Sequence, residues 1–136
     1  MSYAVSAALQ AAVFQTLATD ATLNNVVGSA VYDALPAGQL PPIYVTLGAE
    51  QVRDASDKTG NGATHDIGLS VVTESAGFQQ AKEAAAAISD ALVDQPLTLS
   101  RGRLVSLQFL RAVAKRDQAG LQRRIDLTFR ARVEDN

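Results

Sequence analysis

"LQRRIDLTFRARVE", residues 121–134, decides the fold. Ile125, Leu127, Phe129, Ala131 and Val133 alternate without a slip with Arg124, Asp126, Thr128, Arg130, Arg132 and Glu134. A period of two puts the apolar set on one side of a β-strand and the charged set on the other, so the strand covers a core with one face and meets water with the other. The preceding stretch, "RLVSLQFLRAVAKRD" (residues 103–117), places Val105, Leu107, Phe109 and Val113 on one face, while Leu110 and Ala112 make its other face partly apolar. "DQAG" (117–120) separates the two as a turn, which predicts an antiparallel hairpin.

The same pattern occurs earlier in the chain. In "IYVTLGAEQVRD" (43–54), Ile43, Val45, Leu47 and Ala49 alternate with Tyr44, Thr46, Gly48 and Glu50, and "HDIGLSVVTE" (65–74) sets Ile67, Leu69 and Val71 on one face. The polar stretch "RDASDKTGNGATHD" (53–66) between them reads as a long loop of a second hairpin, its glycines serving as hinge and tip.

Helical spacing fills the remainder. In "SYAVSAALQAAVFQTLATD" (2–20), Val5, Leu9, Ala12, Val13, Thr16 and Leu17 recur every three or four residues, with Ser2 placed to cap the first turn. "TLNNVVGSAVYDALP" (22–36) predicts a short helical turn and a brief strand at 31–33, stopped before Pro36, and "AGQLPP" (37–42) is a connector. "AGFQQAKEAAAAISDALVDQP" (76–96) predicts a helix with a stripe of Phe78, Ala81, Ala85, Ile88 and Leu92, opened by Ser75 or Gly77 and ending before Pro96. The order predicts one α+β domain over residues 1–136: a mostly antiparallel sheet, two amphipathic helices on one face, a polar and basic opposite face, and a long β-hairpin loop.

Composition narrows the chemistry. A chain of 136 residues suits one core. No run approaches the roughly 20 apolar residues that span a bilayer. The N-terminal segment lacks the basic start of a secretory signal and reads as a folded segment of cytoplasmic type. The absence of cysteine removes disulfides and thiol nucleophiles, and a single histidine removes a His-rich metal site, so neither metal nor cofactor is expected. Charge is unevenly divided. Three basic residues face ten acids before Arg101, and nine face four from there on, for a net charge of -2. Such a division supplies opposite patches for side-by-side association or aims a basic surface at nucleic acid.

His65 is the obvious candidate for general-base chemistry, with Asp54 or Asp57 as its partner and Ser56 or Thr59 as nucleophile, but nothing in the spacing fixes that geometry. Gly60 and Gly62 lack the third glycine of a dinucleotide fingerprint and the lysine of a P-loop, and they lie between strands. Asp54, Asp57 and Asp66 do not have the spacing of a calcium loop. No catalytic residue is therefore assigned. Arg101, Arg103, Arg111, Lys115, Arg116, Arg123, Arg124, Arg130 and Arg132 crowd the C-terminal hairpin. They read as a solvated sheet face, an inter-subunit ion-pair surface or a surface facing nucleic acid, although few aromatics accompany them to stack bases.

Five phrases in register, "VYDALPAGQLPPIYVTLG" (31–48), "DKTGNGATHDIGLSV" (57–71), "QQAKEAAAAISDAL" (79–92), "PLTLSRGRLVSLQF" (96–109) and "RRIDLTFRARVE" (123–134), resemble a family of phage tail-completion proteins. Its members include the tail terminators of gene transfer agents, phage-like particles that package host DNA. The resemblance runs from about Val5 to Glu134 and is carried at Tyr32, Asp33, Pro36, Tyr44, Gly48, Lys58, Thr59, Gly60, His65, Lys82, Pro96, Arg116, Asp117, Phe129 and Arg130. The family has tryptophans in the long loop and in the strand after it; this chain has none, and Val72 stands in the strand.

The resemblance implies a structural, non-enzymatic subunit. It would form a homo-hexameric ring on the head-proximal end of the tail tube, stop tube growth and join the tail to the head connector or stopper protein. DNA would pass through the lumen without sequence-specific binding, and the protein would be made and assembled in the host cytoplasm, with no membrane partner. The alternatives are another connector or stopper subunit, or a small nucleic-acid-binding module. Interface positions are expected at Arg53, Asp54, Asp57, Lys58, Thr59, Gly60, Asn61, Gly62, His65, Arg111, Arg116, Arg124, Arg130 and Arg132.

Overall fold

Strand β5 (Arg123–Glu134) and strand β3 (Gly62–Thr73) form the centre of the sheet in a computed structural model that describes residues 3–58, 60–117 and 120–135. Their antiparallel register runs from Gly62 opposite Glu134 to Thr73 opposite Arg123 without interruption. β2 (Ile43–Asp54) flanks β3, β4 (Arg103–Arg116) flanks β5, and β1 (Val31–Tyr32) pairs parallel with β2, giving the order β1-β2-β3-β5-β4. The α+β class and the mostly antiparallel sheet agree with the alternation in the sequence.

Three helices cover one face: α1 (Ser6–Ala18), α2 (Ala21–Val27) and α3 (Gln79–Leu92). The expected helical turn at residues 22–27 is thus a third helix. Asp20 nucleates it by accepting from the Leu23 amide at 2.9 Å. Val5, Leu9, Val13 and Leu17 of the first helical segment are buried as their spacing predicts. The stripe of α3 is built from smaller residues than expected. Ala81, Ala84 and Ala87 join Ile88 and Leu92 in the core, and their short side chains let the helix lie close to Val71, Ile125, Leu127 and Phe129 of the sheet. Neither Ser75 nor Gly77 caps α3; Phe78 holds the N-cap position without a side-chain cap. The cap expected from Ser2 lies outside the described residues.

Two strands depart from simple alternation. β2 carries an extra residue between Leu47 and Glu50, so its phase inverts: Glu50, expected on the outer face, pairs with Ile67 and turns toward the helices, while Ala49 is exposed. β4 carries two such irregularities, between Leu104 and Ser106 and between Phe109 and Arg111. Leu107 and Phe109 therefore keep the expected helix-side face, but Val113 lies opposite Asp126 on the other. That outer face is not polar throughout. At its β1 end Ala30, Tyr44 and Val72 form a small buried cluster with Tyr32 and Leu40.

The connection between β2 and β3 is half the length expected, covering residues 55–61, and it is tied by its own hydrogen bonds. The Asp57 amide donates to the Gly60 carbonyl at 3.0 Å, and the Gly60 amide returns to the Asp57 carboxylate at 2.9 Å. Arg53, Asp54, His65 and Asp66, where the expected strands and loop overlap, are strand residues, and so are Gly62, Ala63 and Thr64, which were expected in the loop alone. Gly62 is required by close packing rather than as a hinge, because a Cβ there would stand 2.8 Å from the Ala55 carbonyl oxygen. The alternation that begins at Gly62 was hidden by its small and polar residues.

Candidate interaction surfaces

His65 is fully buried, although it lies within the polar stretch read as a hairpin loop. Its strand position opposite Val52 points it toward the helix layer, where the Tyr3 ring stacks against it at 6.4 Å between centroids. The carboxylate partner is Glu50, not Asp54 or Asp57: His65 Nδ1 lies 3.1 Å from Glu50 Oε2. Ser6 Oγ donates to the same carboxylate at 2.8 Å and Tyr3 Oη at 2.9 Å. Partial burial raises the Glu50 pKa, but the donors from His65, Ser6 and Tyr3 outweigh it and hold the carboxyl below its ordinary value. With its ring sealed beneath Tyr3, His65 is placed to fasten α1 to the sheet and offers no open face to a substrate.

Asp66 points to the opposite face, as strand alternation requires. Arg130 grips it with two bonds, Nε to Oδ1 at 2.8 Å and Nη2 to Oδ2 at 3.0 Å, and Arg53 Nη1 approaches Oδ2 at 3.3 Å. The Arg130 guanidinium, assisted by Arg53, holds the Asp66 carboxyl below its usual range against the opposing effect of burial. Asp66 in turn raises the pKa of Arg130.

A second knot lies farther along the same face. Asp126 accepts from Ser70 Oγ at 2.7 Å and Arg124 Nε at 3.0 Å, and Lys115 Nζ stands 3.2 Å from its other oxygen. Burial raises the Asp126 pKa, yet these three donors lower it overall. The two knots tie β2 to β3 to β5 and β3 to β5 to β4. The basic face is therefore largely a lattice of charge pairs, with two acids, Asp66 and Asp126, between its arginines.

The other expected interface residues are scattered. Asp54 accepts from Ser56 Oγ at 2.7 Å, a bond that holds its pKa down. Lys58 is exposed at the tip, while Thr59 lies outside the described residues. The Asn61 carbonyl accepts from the Asp135 amide at 2.8 Å, tying the tip to the chain end, and Arg132 Nη2 reaches the Ala55 carbonyl at 3.4 Å. Arg111 and Arg116 are exposed on β4 and form no ion pair among the described residues. Thus Arg53 and Arg130 converge on one acid, Arg124 joins another, and Arg111 and Arg116 stand apart from both.

Three further features escaped the sequence reading. Glu50 was hidden by the β2 irregularity, and Asp66 was read as a loop carboxylate. The third is an apolar groove at the β4 edge, where Phe109, Ala112 and Ala114 stand across from Ala85, Ala86 and Ser89 of α3. Its only signal was the partly apolar character of both faces of residues 103–117.

The family model described as "Tail completion protein gp17" matches residues 11–134. The chain belongs to this tail completion family. A chain in the solved structure of the "virion of native gene transfer agent (GTA) particle" is 64% identical, covering 98% of this chain and 99% of that one, with a TM-score of 0.93. No curated protein sequence matches significantly. The tail completion chain thus shares both sequence and fold, over nearly its whole length, with a virion component.

Proposed function

We propose that this tail completion protein is the tail terminator of a phage-like particle. It forms a ring, a homo-hexamer by the family resemblance, at the head-proximal end of the tail tube, halts tube polymerisation and joins the tail to the head connector or stopper. The full-length 64% identity to a gene transfer agent virion chain carries this reading. The buried His65 supports a structural over an enzymatic role, since the chain's one imidazole is sealed in the packing. One α+β domain with three helices on its sheet is the assembling unit.

The lattice on the outer sheet face supports a lumen through which DNA moves freely. A continuous row of unpaired arginines would grip phosphates, whereas alternating Arg130, Asp66, Arg124 and Asp126 weakens that attraction. Lys58, Gly60 and Asn61 at the hairpin tip, with Arg111 and Arg116 on β4, are the expected contacts with neighbouring copies, the tube protein or the connector. Producing particles without the chain tests the proposal: terminator loss yields tails of uncontrolled length and unjoined heads in electron micrographs. Tails of normal length joined to heads would refute it.

A further inference from the structure

β4 is the outer strand of the sheet, and no strand lies along its free edge among the described residues. An exposed strand of this length is a template for association, and soluble proteins normally shorten, twist or cover such edges. β4 is also apolar: Phe109 and Leu110 are 48% and 41% exposed, and the groove between Phe109, Ala112 and α3 opens beside them. Its surplus charge is basic: of the five basic side chains in residues 101–116, Arg101, Arg103 and Lys115 pair with Asp135, Glu134 and Asp126, while Arg111 and Arg116 have no ion-pair partner among the described residues.

The far edge of the sheet has the complementary character. α1 packs against α3 on one flank and reaches β1 on the other, and it turns Ala7, Ala11 and Phe14 outward next to Tyr3 and Asp33. Residues 6–33, which hold α1, α2 and β1, carry Asp20 and Asp33 and no lysine or arginine. Each edge therefore joins an apolar strip to surplus charge of one sign, and the signs are opposite.

We propose that these edges are the two halves of one joint: the β4–α3 groove of one copy seats on the α1–β1 face of the next. Charge complementarity and matching apolar strips identify the occupant as a second copy of this chain. Because the halves lie on opposite edges and differ chemically, the contact is head-to-tail, and repetition of it closes into a ring or continues as a filament. The joint rests on the ring reading above and specifies its subunit contact.

The chain lacks cysteine, so Ala11→Cys and Ala112→Cys, both at exposed positions, supply its only thiols. Particles assembled with the A11C/A112C double variant are treated with a short bismaleimide and run on a denaturing gel. The joint predicts a ladder of covalent multimers of this chain, with each single variant remaining monomeric. Dimers formed by A112C alone would overturn it by showing a self-complementary contact, and adducts of Cys at that position with another particle protein would assign the groove to that protein instead. No ladder from particles whose micrographs show the ring would reject this joint while leaving the terminator reading intact. Particles with no ring at the tail end would reject both.

Discussion

Replacing Glu50 by alanine should cost about 2–6 kcal/mol of folding stability, since each of two buried donors left unsatisfied costs about 1–3 kcal/mol. Three donors converge on this carboxylate: His65 Nδ1, Ser6 Oγ and Tyr3 Oη. His65 and Ser6 are buried and lose their acceptor, whereas Tyr3 is exposed and turns to water at little cost. Glu50→Gln keeps a carbonyl acceptor and should lose less, and Tyr3→Phe should lose under about 1 kcal/mol. Urea unfolding monitored by circular dichroism reads the series. The same carboxylate sets a pH dependence. Its folded pKa is below the unfolded value of 4.5, so its contribution is complete above that value and disappears as pH falls through the folded pKa. The slope of stability between pH 5 and the acid limit, attributed to about one carboxylate of this kind, should be shallower in Glu50→Ala. A loss below about 0.5 kcal/mol, or an unchanged acid slope, would refute the claim that this cluster anchors α1 to the sheet.

Gly102 has φ of +70°, and a Cβ there would lie 2.5 Å from the Glu134 carbonyl oxygen, so Gly102→Ala should destabilise by more than about 2 kcal/mol. Gly120 has nearly the same φ but no atom within 4 Å of its would-be Cβ, so Gly120→Ala should cost only about 1 kcal/mol; equal losses would contradict the steric argument. Asp66→Asn weakens the paired grip of Arg130 and the contact with Arg53, and should cost about 1 kcal/mol at neutral pH. Because the Asp66 pKa is lowered by folding, that deficit should vanish on acidification through the folded pKa, measured by the convergence of the two denaturation curves. Replacing residues 57–61 by a tight turn should preserve the circular dichroism spectrum, whereas extending the deletion through Thr64 removes the β5 partners of Arg132, Val133 and Glu134 and should abolish cooperative unfolding.

β5 was fully legible because its alternation is unbroken over a strand paired on both sides. Ile125, Leu127, Phe129, Ala131 and Val133 are all buried. β4 and β2 were legible as strands but not in phase, since an extra residue at a bulge inverts alternation without any compositional mark. This is why Val113 was assigned to the core face and Glu50 to solvent. The start of β3 was missed for a different reason. Gly62, Ala63 and Thr64 have little apolar character, and their strand conformation is enforced by pairing with β5 and, for Ala63 and Thr64, with Asp54 and Arg53 of β2, which lie far away or across the turn in sequence. The interaction surfaces were the least visible. Arginine was plain to see, but whether an arginine is tied to Asp66 or Asp126, or lacks an ion pair among the described residues like Arg111, depends on cross-strand register.

The account predicts that an electron micrograph of intact particles, with this chain labelled at its exposed Lys58, places the label in a ring where the tail tube meets the head. Label along the tube, at the distal tip or on the capsid would contradict the terminator role.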